Sequence, residues 1–193
     1  MLNLRDNPLL LYALGICPAL AVSTRVDNAL VMGLLVLVVL MGTTLVMAAL
    51  EPVLPEALRL PLALVAAAGL VTAGDLFLRT YLPGLREGLG IYVQLVAVNC
   101  LLVGRTETGR RRLSEAAPEA FGQGAGFCLG LLVVALVREV LGAGTISLFP
   151  VGSFSGTLRI GGLAKQPVRV LLLAPGALLV LGYLAALYNR SRS

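Results

Sequence analysis

Histidine and tryptophan are absent from this chain of 193 residues, aromatic residues make up 5% of it and charged residues only 13%. Without histidine there is no imidazole to bind haem or zinc and no Ser-His-Asp nucleophile. Without tryptophan the aromatic belt of a membrane interface falls to Tyr12, Tyr81, Tyr92 and Tyr188. The scarcity of charge excludes an ordinary soluble domain, because hydrophobic residues reach 58% against about 45–50% in such domains. Most soluble enzyme classes are excluded with it.

What is present is a succession of long apolar tracts. Residues 7–24, 29–50, 88–104, 120–137 and 170–188 carry no charge, and 60–78 carries only Asp75. The six tracts run from 17 to 22 residues, close to the ~17–25 that a helix needs to cross the hydrocarbon core. The fold class expected is an all-α integral membrane protein of six spans, forming a single transmembrane domain over residues 1–193.

The formal net charge of +5 does not point to nucleic acid, because the basic residues fall in loops flanking apolar spans, where they report topology. With the N-terminus inside, the inner segments hold eight basic residues and the outer ones seven. The densest group, Arg105, Arg110, Arg111 and Arg112, favours both termini inside. Arg5, the apolar run at 9–14 and the triplet 19–21 imitate a signal peptide, but Pro8 and Pro18 interrupt it. Residues 1–24 are therefore kept in the mature protein, with 7–24 as its first span. Bulky Ile16 makes Cys17 a poor lipoprotein site.

The spans are unlike one another. The second is a plain run of Leu, Val, Met and Ala, whereas the first is interrupted by Gly15 and Pro18 and the fourth carries Gln94 and Asn99 at membrane depth. Split three and three, the broken segments open each half, and an odd number of crossings puts the halves in the membrane from opposite sides. That is the pattern of two inverted three-helix repeats, about 1–85 and 86–193, whose broken or half-length first and fourth helices mark a site near the midplane. Close helix packing is the competing use of Gly, Pro and polar residues in such spans. The longest connection, about 141–169, is glycine-rich and reads as a pliable loop.

Each broken segment holds a cysteine. Cys17 lies ten uncharged residues from Asp6 and seven from Arg25, and Cys100 lies twelve from Glu87 and four from Arg105, so both fit inside the bilayer. Cys128, in the fifth span, reads as a small packing residue. For the other two, a disulfide is one use, although exchange needs a charged thiolate that a bilayer disfavours. Metal binding is another: two thiolates suit an iron–sulfur centre, but a cluster asks for about four ligands, so a second protein must supply the rest. A centre at the midplane would roughly halve an electron's path across the ~30 Å core.

Leu14-Gly15-Ile16-Cys17-Pro18-Ala19-Leu20-Ala21-Val22, preceded by Asn7-Pro8, resembles the first-span signature of the membrane subunits of the Rnf and Na+-translocating NADH:quinone reductase (Nqr) complexes. Leu89-Gly90-Ile91-Tyr92 and Val98-Asn99-Cys100-Leu101-Leu102-Val103-Gly104-Arg105 resemble the fourth-span signature. Gly124-Ala125-Gly126-Phe127 with Arg138-Glu139-Val140-Leu141-Gly142-Ala143-Gly144-Thr145, and Ala174-Pro175-Gly176-Ala177, are similar to the fifth and sixth. Arg105 with Glu107 resembles the RnfE/NqrD branch; Thr106-Glu107-Thr108-Gly109 departs from the family's Ala-rich continuation, and Cys128 matches no family role.

The resemblance implies a six-helix subunit paired with an RnfA/NqrE-type homologue of opposite orientation. It also implies a [2Fe-2S] cluster within the membrane, with Cys17 and Cys100 as two of its four ligands. Further implied are termini on the cytoplasmic side of the bacterial inner membrane, flavin and iron–sulfur subunits as partners, and electron transfer coupled to Na+ or H+ movement. Such a protein would belong to a redox-driven translocase without being catalytic alone.

Asn99 would support the cluster sulfurs or join helices by hydrogen bonding. For ion passage the ionisable candidates close to the membrane are Asp75, Glu51 and the Arg138-Glu139 pair, of which Asp75 and Glu139 are preferred; the competing reading puts all four at span ends in the interface. Arg138 and Glu139, being adjacent, should have separate partners. Without the resemblance, a small secondary transporter or channel with inverted repeats is the alternative, and a scaffold with no cofactor is a third class.

Overall fold

The computed structural model describes residues 20, 22–50, 55–81, 83–90, 92–99, 113–143, 145–147, 157–159 and 173–190. Cys17, Cys100, Glu51, the basic loop at 105–112 and most of the 141–169 connection lie outside the described residues. The helices are α1 (Val26–Leu50), α2 (Glu56–Tyr81), α3 (Pro83–Leu89), α4 (Tyr92–Leu95), α5 (Leu113–Ala143) and α6 (Ala174–Arg190), with a 3₁₀ turn, Val96–Val98, after α4. Among the described residues three helical stretches, Val26–Leu50, Ala57–Tyr81 and Ala116–Gly142, are long and apolar enough to cross a membrane; the apolar part of α6, Pro175–Ala186, is shorter. The all-α membrane architecture expected from the tracts is thus present. At about 1.5 Å per residue, α1 alone spans about 37 Å, more than the ~30 Å hydrocarbon core.

α1 and α5 form the centre and run antiparallel. Gly33 meets Cys128 and, one turn further along α1, Leu37 meets Gly124, so the register falls on one helix as it rises on the other. Met32, Val36 and Leu40 of α1 and Phe127, Leu131 and Val134 of α5 are all buried in the resulting core. α2 returns antiparallel to α1, with Leu35 against Gly74 and Leu70 against Gly42. Glycine at these contacts lets backbones approach closely, which is how helices gain packing energy where lipid tails remove the hydrophobic incentive.

The outward faces stay apolar. Val65 of α2, Val38 of α1 and Leu179 of α6 are between 60% and 69% exposed, the arrangement of a body whose solvent is lipid. Hydroxyls within the spans are satisfied inside their own helix: Thr43 Oγ1 donates to the Val39 carbonyl at 2.7 Å, Thr44 to Leu40 at 2.7 Å and Thr72 to Ala68 at 2.8 Å. Pro61 and Pro118 are each the sixth residue of their helix, α2 and α5, so each costs one backbone hydrogen bond in the second turn rather than in mid-span.

The chain at 83–99 does not form one straight helix. α3 ends at Gly90, whose φ of +52° is left-handed, and its N–H donates to the Arg86 carbonyl at 3.0 Å, a glycine helix stop. α4 lasts four residues, tightens into the 3₁₀ turn and ends at Asn99, extended at φ −65° and ψ 129°. Val93, Val96 and Asn99 are buried, as irregular backbone must be at membrane depth. The tract at 88–104 is thus interrupted within its described part, which reaches Asn99; most of the tract at 7–24 lies outside the described residues.

The connection after α5, read as a pliable loop, contains a two-stranded antiparallel ribbon, β1 (Thr145–Ser147) and β2 (Thr157–Arg159), with Ile146 opposite Leu158. The strands avoid the glycines and use Thr, Ile and Leu, of which the β-branched Thr and Ile suit a pleated backbone.

Candidate functional site

The polar residues gather at one end of the α1–α5 pair, around the turn that leads from the first span into α1. Leu20 and Val22 are helical, residues 23–25 turn, and α1 starts at Val26. A helix ending and another beginning within a few residues leaves carbonyls without partners on one side and amides on the other. Side chains from the far end of the sequence meet both sets.

Arg138 of α5 is fully buried. Its Nη1 donates to the Leu20 carbonyl at 3.3 Å and also to Ser23 Oγ, and its Nη2 donates to the Leu173 carbonyl, just before α6, at 3.2 Å. A guanidinium suits this task because its donors spread in a fixed planar fork. Glu139, 2% exposed, faces the other side of the turn: its Oε2 accepts the Val26 N–H at 2.7 Å. A carboxylate at a helix N-terminus is favoured both by the bare amides and by the helix dipole. Asp27 lies in the same first turn, buried, accepting the Asn28 N–H at 2.8 Å and pairing with Arg25 at 3.0 Å. The adjacent Arg138 and Glu139 therefore have separate partners, as expected.

A second ionic group joins α2 to α3. Asp75 is buried, and its Oδ2 accepts from Arg79 Nε and its Oδ1 from Arg86 Nε, each at 3.0 Å. Next to it, Gly88 lies so close to Asn28 that a β-carbon there would sit 2.9 Å from Asn28 Nδ2, so α3 is seated against the first turn of α1. Asp75, Arg138 and Glu139 are all enclosed by protein. Their partners come from segments that a count of charges along the chain does not bring together.

The structure brings Glu139 to the Ser23–Val26 turn and Asp75 to Arg86; it places Asn99 at the end of the 3₁₀ turn, its backbone N–H donating to the Val96 carbonyl at 3.2 Å. Cys17 and Cys100 lie outside the described residues. Cys128 packs against Gly33, as its reading as a packing residue anticipates. Ser23, Asn28 and Arg86 take part without any sequence signal that marks them. Ser23 sits 115 residues from Arg138, and the only local sign of the turn is the Arg25-Val26-Asp27-Asn28 polar run between two apolar tracts.

The chain matches the family described as Rnf-Nqr subunit, membrane protein, over residues 2–185. It is 37% identical over 188 residues to the E subunit of the Na(+)-translocating ferredoxin:NAD(+) oxidoreductase complex of Acetobacterium woodii, covering 96% of this chain and 91% of that protein. The E subunits of the ion-translocating oxidoreductase complexes of Methanosarcina acetivorans and Shewanella baltica are 32% and 35% identical. Those alignments cover 97% and 96% of this chain, and 87% and 82% of the respective relatives.

Proposed function

Because the chain belongs to the Rnf-Nqr family of membrane subunits, we propose that it is the E-type component of an ion-translocating oxidoreductase complex and relays electrons across the membrane. In this reading Cys17 and Cys100 supply two of the four thiolate ligands of a [2Fe-2S] cluster, and an RnfA/NqrE-type homologue supplies the others. When bound, such a cluster accepts and passes on one electron. Flavin and iron–sulfur subunits on the two sides of a bacterial inner membrane are the neighbours this requires, with Na+ or H+ as the coupled ion.

The observation that carries the reading is the break at 90–99. A chain that needs only to span a membrane has no reason to interrupt a helix at Gly90, shorten it to one turn and leave it extended at Asn99. A chain that must aim the next residue, Cys100, independently of a helix face has one. The donor chemistry also fits, thiolates being the ligands that iron–sulfur clusters use. The antiparallel meeting of α1 with α5, the second and fifth spans, is the relation that two inverted repeats, about 1–85 and 86–193, would produce.

This chain's own residues contribute binding and exclusion. Val93 and Val96 bury the broken segment in the core shared with α1 and α2, and Asn99 at the 3₁₀ terminus stands beside the ligand position. Asp75 and Glu139 remain the ionisable candidates for an ion path, both with oxygens held by defined donors. The test is low-temperature EPR with iron and sulfide analysis on this protein co-purified with its membrane homologue, in wild type, Cys17→Ser and Cys100→Ser. A reducible [2Fe-2S] signal lost in either variant is the expected result. An iron-free wild-type pair, or electron transfer preserved in both variants, would overturn the relay.

A further inference from the structure

Arg138 and Glu139 are neighbours on α5 that grip opposite sides of one turn. The guanidinium takes the Leu20 carbonyl and Ser23 Oγ, at the end of the first segment, and the carboxylate takes the Val26 amide, at the start of α1. A cation at a helix C-terminus and an anion at a helix N-terminus each complement the local dipole, so the pair matches the turn in both sign and position. Leu20 is three residues beyond position 17 in the chain. Within the reading of Cys17 as a cluster ligand, on which this inference rests, we infer that Arg138 and Glu139 are positioning residues that fix the Cys17-bearing segment against the fifth span.

The physical case has three parts. A buried guanidinium is expensive unless its donors are used, and here three of its acceptors come from two chain segments distant in sequence, at Leu20 and Ser23 and at Leu173. The same side chain therefore also ties the approach to α6 to the end of the first segment. Helix packing alone does not account for this: apolar residues of similar size would fill the space with less desolvation cost, whereas directed donors fix the height and rotation of the carbonyls they hold. A ligand residue three positions before Leu20 in the chain is tethered to that placement, and outer groups that orient ligands change metal affinity by about 10-fold to 100-fold when removed.

The test uses the protein in its complex with the membrane homologue, comparing wild type with Arg138→Gln, Arg138→Lys, Glu139→Gln and Gly69→Ala. The last changes an open position on α2, where a β-carbon meets nothing within 4 Å. Hydrogen exchange at residues 20–27 reads the clamp directly, whatever the state of the cluster; iron content and the g-values of the EPR signal read its consequence. Arg138→Gln should accelerate exchange at 20–27 with little change at 36–50, lower iron retention about 10-fold and shift the g-values of what remains. Arg138→Lys should fall between it and wild type, because a point charge keeps the sign but not the fork. Gly69→Ala should leave both the exchange at 20–27 and the signal unchanged. Unchanged exchange at 20–27 in Arg138→Gln overturns the clamp. Faster exchange with wild-type iron and g-values overturns the positioning role. A wild-type complex without iron overturns the relay reading, and the positioning role with it.

Discussion

Gly33 of α1 and Cys128 of α5 meet so closely that a β-carbon on Gly33 would lie 2.6 Å from Cys128 Sγ and 3.1 Å from its Cβ. No helix pair accommodates that distance without moving. Gly33→Ala should therefore destabilise the protein by about 1–3 kcal/mol through overpacking. Cys128→Ala in the same background removes the nearest atom and should return part of the loss, a coupling that a double-mutant cycle of thermal midpoints in detergent would read. Gly69→Ala is the control, since a β-carbon there meets nothing within 4 Å. Equal midpoints for Gly33→Ala and Gly69→Ala would show that α1 and α5 do not pack in this register.

Two other glycines separate distance from compliance. A β-carbon on Gly42 would come within 2.6 Å of Leu70 Cδ1, and one on Gly124 within 3.2 Å of Leu37 Cα. The first obstacle is the far end of a flexible side chain, which can rotate away; the second is backbone, which cannot. Gly124→Ala should therefore cost about 1 kcal/mol or more, and Gly42→Ala less, although its nominal clash is the shorter. The ranking of the two midpoints decides the matter.

The Asp75 carboxylate holds two guanidiniums of different burial. The Arg86 side chain is 25% exposed and the Arg79 side chain 55%, so solvent screens the second pair more than the first. Arg86→Met should accordingly lower the thermal midpoint more than Arg79→Met, whose effect should stay below about 1 kcal/mol. Asp75→Ala should cost about 1–3 kcal/mol, because it leaves Arg86 without its acceptor in a partly buried site. Equal losses from the two arginine variants would mean that the α2–α3 link is not carried by Arg86.

The transmembrane plan is legible in the sequence because lipid imposes it: the tracts without charge at 29–50 and 120–137, and the tract at 60–78 with its single Asp75, correspond to α1, α5 and α2. Each helix nevertheless overruns its tract. α1 begins at Val26 rather than 29, since Asp27 and Asn28 are buried at its first turn, and α5 runs to Ala143 past Arg138 and Glu139. Counting charges treats a charged residue as a boundary, but a charge whose donors or acceptors are met by a distant segment need not end a span. That the tract at 88–104 is irregular is readable from Gln94 and Asn99, whereas the place of the stop, Gly90, is set by its left-handed φ. The Arg138–Ser23 and Asp75–Arg86 contacts are not, because they depend on how the helices are stacked. The β1–β2 ribbon is hidden by the glycines around it, which read as pliability.

The break itself can be tested at Gly90. Its φ of +52° is a conformation that L-residues avoid, yet a β-carbon there would meet nothing within 4 Å, so any penalty on substitution comes from the backbone and not from crowding. Gly90→Ala should cost about 1–2 kcal/mol, Gly90→Asn less, since asparagine tolerates the left-handed region, and Gly90→Val more, as a β-branched residue there is a strong outlier. A residue that prefers the right-handed region also favours running α3 straight into α4, which would turn Val93 and Val96 away from the core. Thermal midpoint and iron retention should then fall together in the order Gly, Asn, Ala, Val. A series in which asparagine and valine behave alike would mean that the left-handed turn does not set the geometry of the segment leading to Cys100.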